Sequence, residues 1–151
     1  MSYLADTNVA SRRVLPPDPH HAIITQAIDL LRQQGEVLHI TAQIIVEFHA
    51  LATRPADANG LAMTAAQASI EARKMESIFP LLLEIPAIFP LWCNLVDTYS
   101  VIGRQVYDAR LVAVMQAHGI THLLTMNPTH FRRFAGITVV EPKNVPGVAA
   151  T

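Results

Sequence analysis

Four side chains in this 151-residue chain join useful chemistry to informative placement: Asp6, Glu47, Asp108 and Asn127. Asp6 follows a short apolar run and stands at the carboxyl end of a predicted first strand, residues 2–5. Glu47 shares one face of a predicted helix with Ile44, Phe48 and Leu51, at spacings i, i+3, i+4 and i+7. Asp108 repeats the pattern with Leu111, Val112 and Met115. An acid on a core-facing stripe loses its hydration, which is costly unless a cation or hydrogen-bond donors replace the water. The sequence offers no basic residue one turn away on the Glu47 face, so any partner must come from elsewhere. Asn127 closes a further apolar run, 122–126, immediately before Pro128. If these strands are parallel, their ends gather at one edge, and helices leaving that edge can aim Glu47 and Asp108 into a cleft beside Asp6. Crowded carboxylates repel and burial raises their pKa values. A hard divalent cation relieves both problems. Magnesium and manganese take oxygen ligands and keep waters for a substrate phosphate, and such an ion can acidify a water and offset charge on a phosphodiester.

The elements that must hold these groups alternate along the chain. A helix is predicted over 20–34, with Ile23, Ala27, Leu30 and Leu31 on one face and Gly35 as its stop. A second strand follows at 37–40, and Thr41 caps a helix that carries Glu47 to about residue 53. Thr64 opens another helix to residue 78, and 81–85 is predicted as a third strand. Residues 87–101 carry a helical pattern with Phe89, Trp92, Val96 and Tyr99, and Gly103 separates it from the Asp108 helix. That helix stops at Gly119. The strand at 122–126, a short helix at 129–134 and a last strand at 137–141 complete the pattern. Strands alternating with helices predict an α/β domain built on a parallel sheet, with residues 1–141 as the domain and 142–151 as a loose tail. In such sheets active sites form beyond the carboxyl ends of the strands.

Composition narrows the partners. Charged residues are 15% of the chain, against about 25% in an ordinary soluble domain. The apolar surplus implies either a well-filled core or a surface covered by a partner or twin subunit. With a net charge of −1, no global basic field advertises nucleic acid, so RNA would have to be held by a local basic patch and metal ions. Cys93 stands alone, which excludes an internal disulfide and fits a reducing cytoplasm. The opening MSYLADTN lacks a basic region and a long apolar run, so no signal peptide is expected. The most apolar stretch, 79–102, is interrupted by Glu84, Pro86, Pro90, Asn94 and Asp97, so no membrane span is expected.

Taken together the segments resemble a known family. MSYLADTNV with Asp6, TAQIIVEFHAL with Glu47, and VYDARLVAVMQAHGITHLLTMNPTHF with Asp108 and Asn127 are similar, in order and spacing, to the acidic segments of PIN domains. The resemblance covers nearly the whole chain, and it is nearest to the bacterial VapC-type toxins of type II toxin–antitoxin systems. It implies a three-layer α/β/α fold with a central parallel sheet of four to five strands. It also implies an endoribonuclease using Mg2+ or Mn2+, in which Asp6, Glu47 and Asp108 hold the metal and an activated water attacks the RNA phosphate. A homodimer and a cognate antitoxin that blocks the site are implied as well. The family often has an aspartate where this chain has Asn127; asparagine offers a carbonyl oxygen but no charge, which weakens the case for a second metal. Thr125 matches a common hydroxyl of this segment that helps position the site, and reads equally well as an ordinary buried strand threonine.

Other readings compete at single residues. Asp6 is equally suited to cap the next helix, with Thr7 and Asn8 orienting it or finishing the turn. Arg12, Arg13, Arg104, Arg110, Arg132 and Arg133 lie near the motifs and suit RNA phosphates, or are ordinary solvated charge. Arg110, two residues from Asp108, should lie off the face of that acid. His49 faces away from Glu47, and His130 and Phe131 are expected to pack the short helix after Asn127. No spacing suits zinc. The Trp92–Val96–Tyr99 stripe reads as core or dimer surface. A non-catalytic RNA- or protein-binding module is the principal alternative, favoured by Asn127. A phosphatase with a nucleophilic Asp6 wants a second aspartate where this chain has Asn8.

Overall fold

The short apolar runs become the strands of one sheet. In the computed structural model, which describes residues 1–149, the strands are β1 (Ser2–Ala5), β2 (Val37–Thr41), β3 (Leu81–Leu82), β4 (His122–Leu124) and β5 (Thr138–Val140). All are parallel, in the order β3-β2-β1-β4-β5. Leu4 of β1 registers with His39 on one side and Leu123 on the other. Strands buried on both faces need no alternation of polar residues, and Leu4, Ala5, Leu123 and Leu124 are accordingly buried.

The described helices are α1 (Thr7–Val14), α2 (His21–Gln33), α3 (Ala42–Thr53), α4 (Ala65–Ile78), α5 (Ile88–Tyr99) and α6 (Gln105–Ala117). Contacts group α1 to α4 together and α5 with α6. Right-handed crossovers put the first group on one face of the sheet and the second on the other, giving the three-layer α/β/α architecture expected. The apolar stripes face inward as their spacing predicts: Ile44 and Phe48 of α3 and Leu111, Val112 and Met115 of α6 are buried. Thr41 caps α3 by accepting from the Ile44 N–H at 3.2 Å, and Thr64 forms a capping box with Gln67 at the start of α4.

From β3 at one edge, the chain returns through α5 and α6 to β4, on the far side of β1. The strand order therefore reverses between β1 and β4, and a crevice opens beyond their carboxyl ends. Asp6 directly follows β1, and Thr125 directly follows β4.

Five expectations change in detail. The predicted strands at 81–85, 122–126 and 137–141 are shorter. β3 ends well ahead of Pro86, which disfavours regular ladder structure around it. The helix expected at 129–134 is a 3-10 turn, Pro128–His130. The tail is not loose where it is described: Pro142–Asn144 forms a 3-10 turn against α2, with Pro142 and Val145 buried. Residues 150 and 151 of that tail lie outside the described residues. No described helix is long and apolar enough to cross a membrane.

Candidate active site

Asp6 is 6% exposed and serves two neighbours at once. Its carboxylate caps α1, accepting from the Thr7 N–H at 2.7 Å through Oδ1. Its Oδ2 accepts from the Thr125 hydroxyl at 2.7 Å and the Asn8 side-chain amide at 2.9 Å. Thr125 is fully buried and also accepts from the Asn127 N–H at 3.0 Å. Asn8 completes the junction by accepting from the Met126 N–H at 3.0 Å. The ends of β1 and β4 are thus tied by side chains, beside the Asp6 N–H donating to the Leu124 carbonyl. The capping contact that the sequence allows is formed, with Thr7 and Asn8 both orienting the carboxylate.

Glu47 projects from α3 toward α1. Its Oε2 accepts from the Thr7 hydroxyl at 2.7 Å and its Oε1 from the Gln43 amide at 2.7 Å. Thr7 therefore bridges the first two acids, its N–H on Asp6 and its hydroxyl on Glu47. Asp108 lies in the first turn of α6, half-buried, with Oδ2 3.5 Å from the His130 Nδ1. A negative charge there is favoured by the amino end of the helix.

The three acids feel one another. Burial, countered by the bonds from Thr125 and Thr7 and reinforced by repulsion from Asp108 and Glu47, pushes the Asp6 carboxyl up to about 6. Burial also raises Asp108; His130 and Arg133 oppose the shift and Glu47 adds to it. Among the described residues neither Asp6 nor Glu47 has an Arg or Lys partner. The donors are all oxygen, which suits a hard divalent ion and not zinc, and the repulsion is what such an ion offsets. As they stand, no three His, Cys, Asp or Glu side chains among the described residues are close enough to grip one ion. Thr7 and Gln43 hold Glu47, and His130 lies against Asp108, so the three carboxylates must draw closer together to share one ion.

Asn127 differs from the three acids. It is exposed, and among the described residues only its backbone N–H enters the network. His130 is exposed over Asp108 instead of packing the short turn, whereas Phe131 is buried as expected.

A family model for the PIN domain matches residues 3–137. The chain belongs to the PIN domain family. Solved structures share its fold. A chain in the structure of VapBC2 from Rickettsia felis, bound to a DNA fragment from their promoter, superposes with a TM-score of 0.71 at 14% identity, covering 93% of this chain and 98% of that one. A chain of VapBC-1 from nontypeable Haemophilus influenzae gives 0.68 at 15%, covering 95% and 99%. VapC20 from Mycobacterium tuberculosis, a sarcin-ricin loop cleaving toxin, gives 0.53 at 18%, covering 80% and 86%. No curated protein sequence gives a significant match.

Within this PIN domain, Gln43 is the site residue that sequence reasoning missed. It is buried on α3 one turn before Glu47 and supplies the donor that was sought among basic residues. The i, i+4 spacing from Gln43 to Glu47 was the available signal. Arg110 does lie off the Asp108 face, as expected. It reaches Gln43 Oε1 at 3.1 Å and Glu84 Oε2 at 2.7 Å. The half-buried Trp92 and Tyr99 are tied down by hydrogen bonds, the Trp92 indole N–H to the Val106 carbonyl and the Tyr99 hydroxyl from the Ala135 N–H.

Proposed function

We propose that this PIN domain is a metal-dependent endoribonuclease that hydrolyses RNA phosphodiester bonds, using Mg2+ or Mn2+, and that it is the toxin of a type II toxin–antitoxin pair. One observation carries the reading: Asp6, Glu47 and Asp108, from three separate elements, repel one another at the switch point of a parallel sheet. Family membership supports nuclease chemistry. Likeness to VapBC structures supports a cognate antitoxin as partner; we also take a cytoplasmic homodimer as the working form.

In this reading Asp6, Glu47 and Asp108 hold the ion. A divalent ion supplies charge to offset that of the phosphodiester and lowers the pKa of a nearby water. Thr125, Asn8 and the Thr7 N–H fix the Asp6 carboxylate, and the Thr7 hydroxyl and Gln43 fix Glu47. The exposed Asn127 amide is free to hydrogen-bond the substrate phosphate or its water. Arg132 and Arg133, beside the Asp108 end, suit the RNA backbone.

The purified chain is expected to cut RNA with Mg2+ or Mn2+ and to stop with EDTA. Asp6→Asn and Asp108→Asn should each lower the rate by more than about 100-fold, beyond what loss of an outer partner costs. Cleavage that survives either substitution overturns the site. The second reading, a non-catalytic or weakly active RNA- or protein-binding module, is favoured by the uncharged, exposed Asn127. A folded sample that takes up no divalent ion by calorimetry decides for it.

A further inference from the structure

Gln43 makes three hydrogen bonds, and its partners agree on one orientation of its amide. Arg110 Nη1 can only donate, so it fixes the Gln43 oxygen at 3.1 Å. The amide nitrogen then has two hydrogens for two acceptors, the Glu47 carboxylate at 2.7 Å and the Tyr107 carbonyl at 2.9 Å. A flipped amide would oppose donor to donor and acceptor to acceptor. Arg110 is itself anchored, its Nη2 lying 2.7 Å from the Glu84 carboxylate on the loop after β3.

The partners flank one acid. Tyr107 and Arg110 lie on α6 on either side of Asp108, while Gln43 and Glu47 lie one turn apart on α3. Gln43 therefore clamps the helix carrying Glu47 to the helix carrying Asp108. We propose that Gln43, held by Arg110, is a positioning residue that sets the orientation of Glu47 and its separation from Asp108 for the binding of a divalent cation. The inference rests on the metal reading above. With Thr7 donating to one oxygen and Gln43 to the other, the Glu47 carboxylate is held in one orientation, and without the Gln43 bond it is free to turn away from Asp108. Partners of metal-ligating carboxylates act in this way generally, and their loss weakens metal binding by about 10- to 100-fold.

The test is calorimetric titration of the purified full chain with MnCl2 alone, comparing wild type, Gln43→Leu, Arg110→Ala and Asp6→Asn, with the folded fraction checked by circular dichroism. Gln43→Leu is expected to bind Mn2+ about 10- to 100-fold more weakly, and Arg110→Ala more weakly by a smaller factor. RNA cleavage by Gln43→Leu should recover toward the wild-type kcat when Mn2+ is raised to saturation, a rescue that damage to the fold would not allow. If wild type binds Mn2+ and folded Gln43→Leu binds it within twofold as well, the inference is overturned alone. If Gln43→Leu does not fold, unchanged affinity in Arg110→Ala overturns it. If wild type and Asp6→Asn alike take up no Mn2+, the metal reading falls and this inference with it.

Discussion

Asp6 and Asp108 bear the same functional group and feel the same Glu47, yet the protein holds them differently. Asp6 stops the central strand β1, and donors from Thr7, Asn8 and Thr125 converge on its two oxygens. Asp108 sits on the first turn of α6, with a side chain 23% exposed and one imidazole at 3.5 Å. A strand end beside a neighbouring strand supplies donors from both, whereas Asp108, at the start of the inward stripe of α6, has only the His130 imidazole beside it among the described residues. The contrast is between a fixed acid and an adjustable one. Burial raises both carboxyls, but only Asp6 is held by several donors at once.

The largest effect that separates the two is the pH dependence of stability without divalent ions. The Asp6 carboxyl is raised from 3.8 to about 6, so the folded protein holds this proton more tightly than the unfolded chain. Stability from this source is fully present below about pH 4 and is lost as pH rises through about 6. At about 1.36 kcal/mol per tenfold change, the loss is about 3 kcal/mol. Urea melts in EDTA should show wild type losing stability across this window relative to Asp6→Asn, while Asp108→Asn keeps most of the wild-type slope. Equal slopes in wild type and Asp6→Asn break the comparison. Added Mn2+ at about 100 times its Kd should return about 2.7 kcal/mol near pH 7.

The fixed acid was also the more legible one. A run of apolar residues ended by Asp6 reads as a strand with an acid at its end. Leu111, Val112 and Met115 give away the inward stripe of α6, as Ile44 and Phe48 do for α3. These are local periodicities, and the sheet follows from their alternation. Thr7, Asn8 and Gln43 are local partners of the acids, but the partners that tie distant segments together are not. Thr125 meets Asp6 across 119 residues of chain and Gln43 meets Arg110 across 67, and nothing in the spacing of either pair encodes the contact. Glu47 was missing a cation in the sequence and found an amide and a hydroxyl in the fold, because a half-buried carboxylate needs donors and not necessarily charge. The exposure of Asn127 was equally illegible, since a residue following a strand can turn either way.

Thr125→Val is the next test, and it acts on the fixed side alone. Valine keeps the shape of threonine but removes the donor to Asp6 Oδ2 and the acceptor for the Asn127 N–H. Asp6 Oδ2 keeps the Asn8 amide, and losing one hydrogen bond to a charged group costs about 1.5–3 kcal/mol, readable by urea melts at pH 7. Because the Thr125 bond lowers the Asp6 pKa, its loss moves that carboxyl further above about 6. The acidic limb of the RNA-cleavage profile should shift to higher pH accordingly. An unshifted limb means that Asp6 is not the group titrating in catalysis.

The smallest effect belongs to the adjustable side. His130→Ala removes the imidazole beside Asp108, whose attraction exists only while the ring carries a proton. The His130 side chain is 53% exposed, and a solvated pair of this kind contributes less than about 1 kcal/mol. Because His130 holds the Asp108 carboxyl down, its removal should raise that carboxyl further, with burial and Glu47 less opposed. The stability difference should shrink as salt screens the pair. A salt-insensitive loss comparable to that of Thr125→Val would mean that Asp108 is held as firmly as Asp6, and the division between a fixed and an adjustable acid would have to be abandoned.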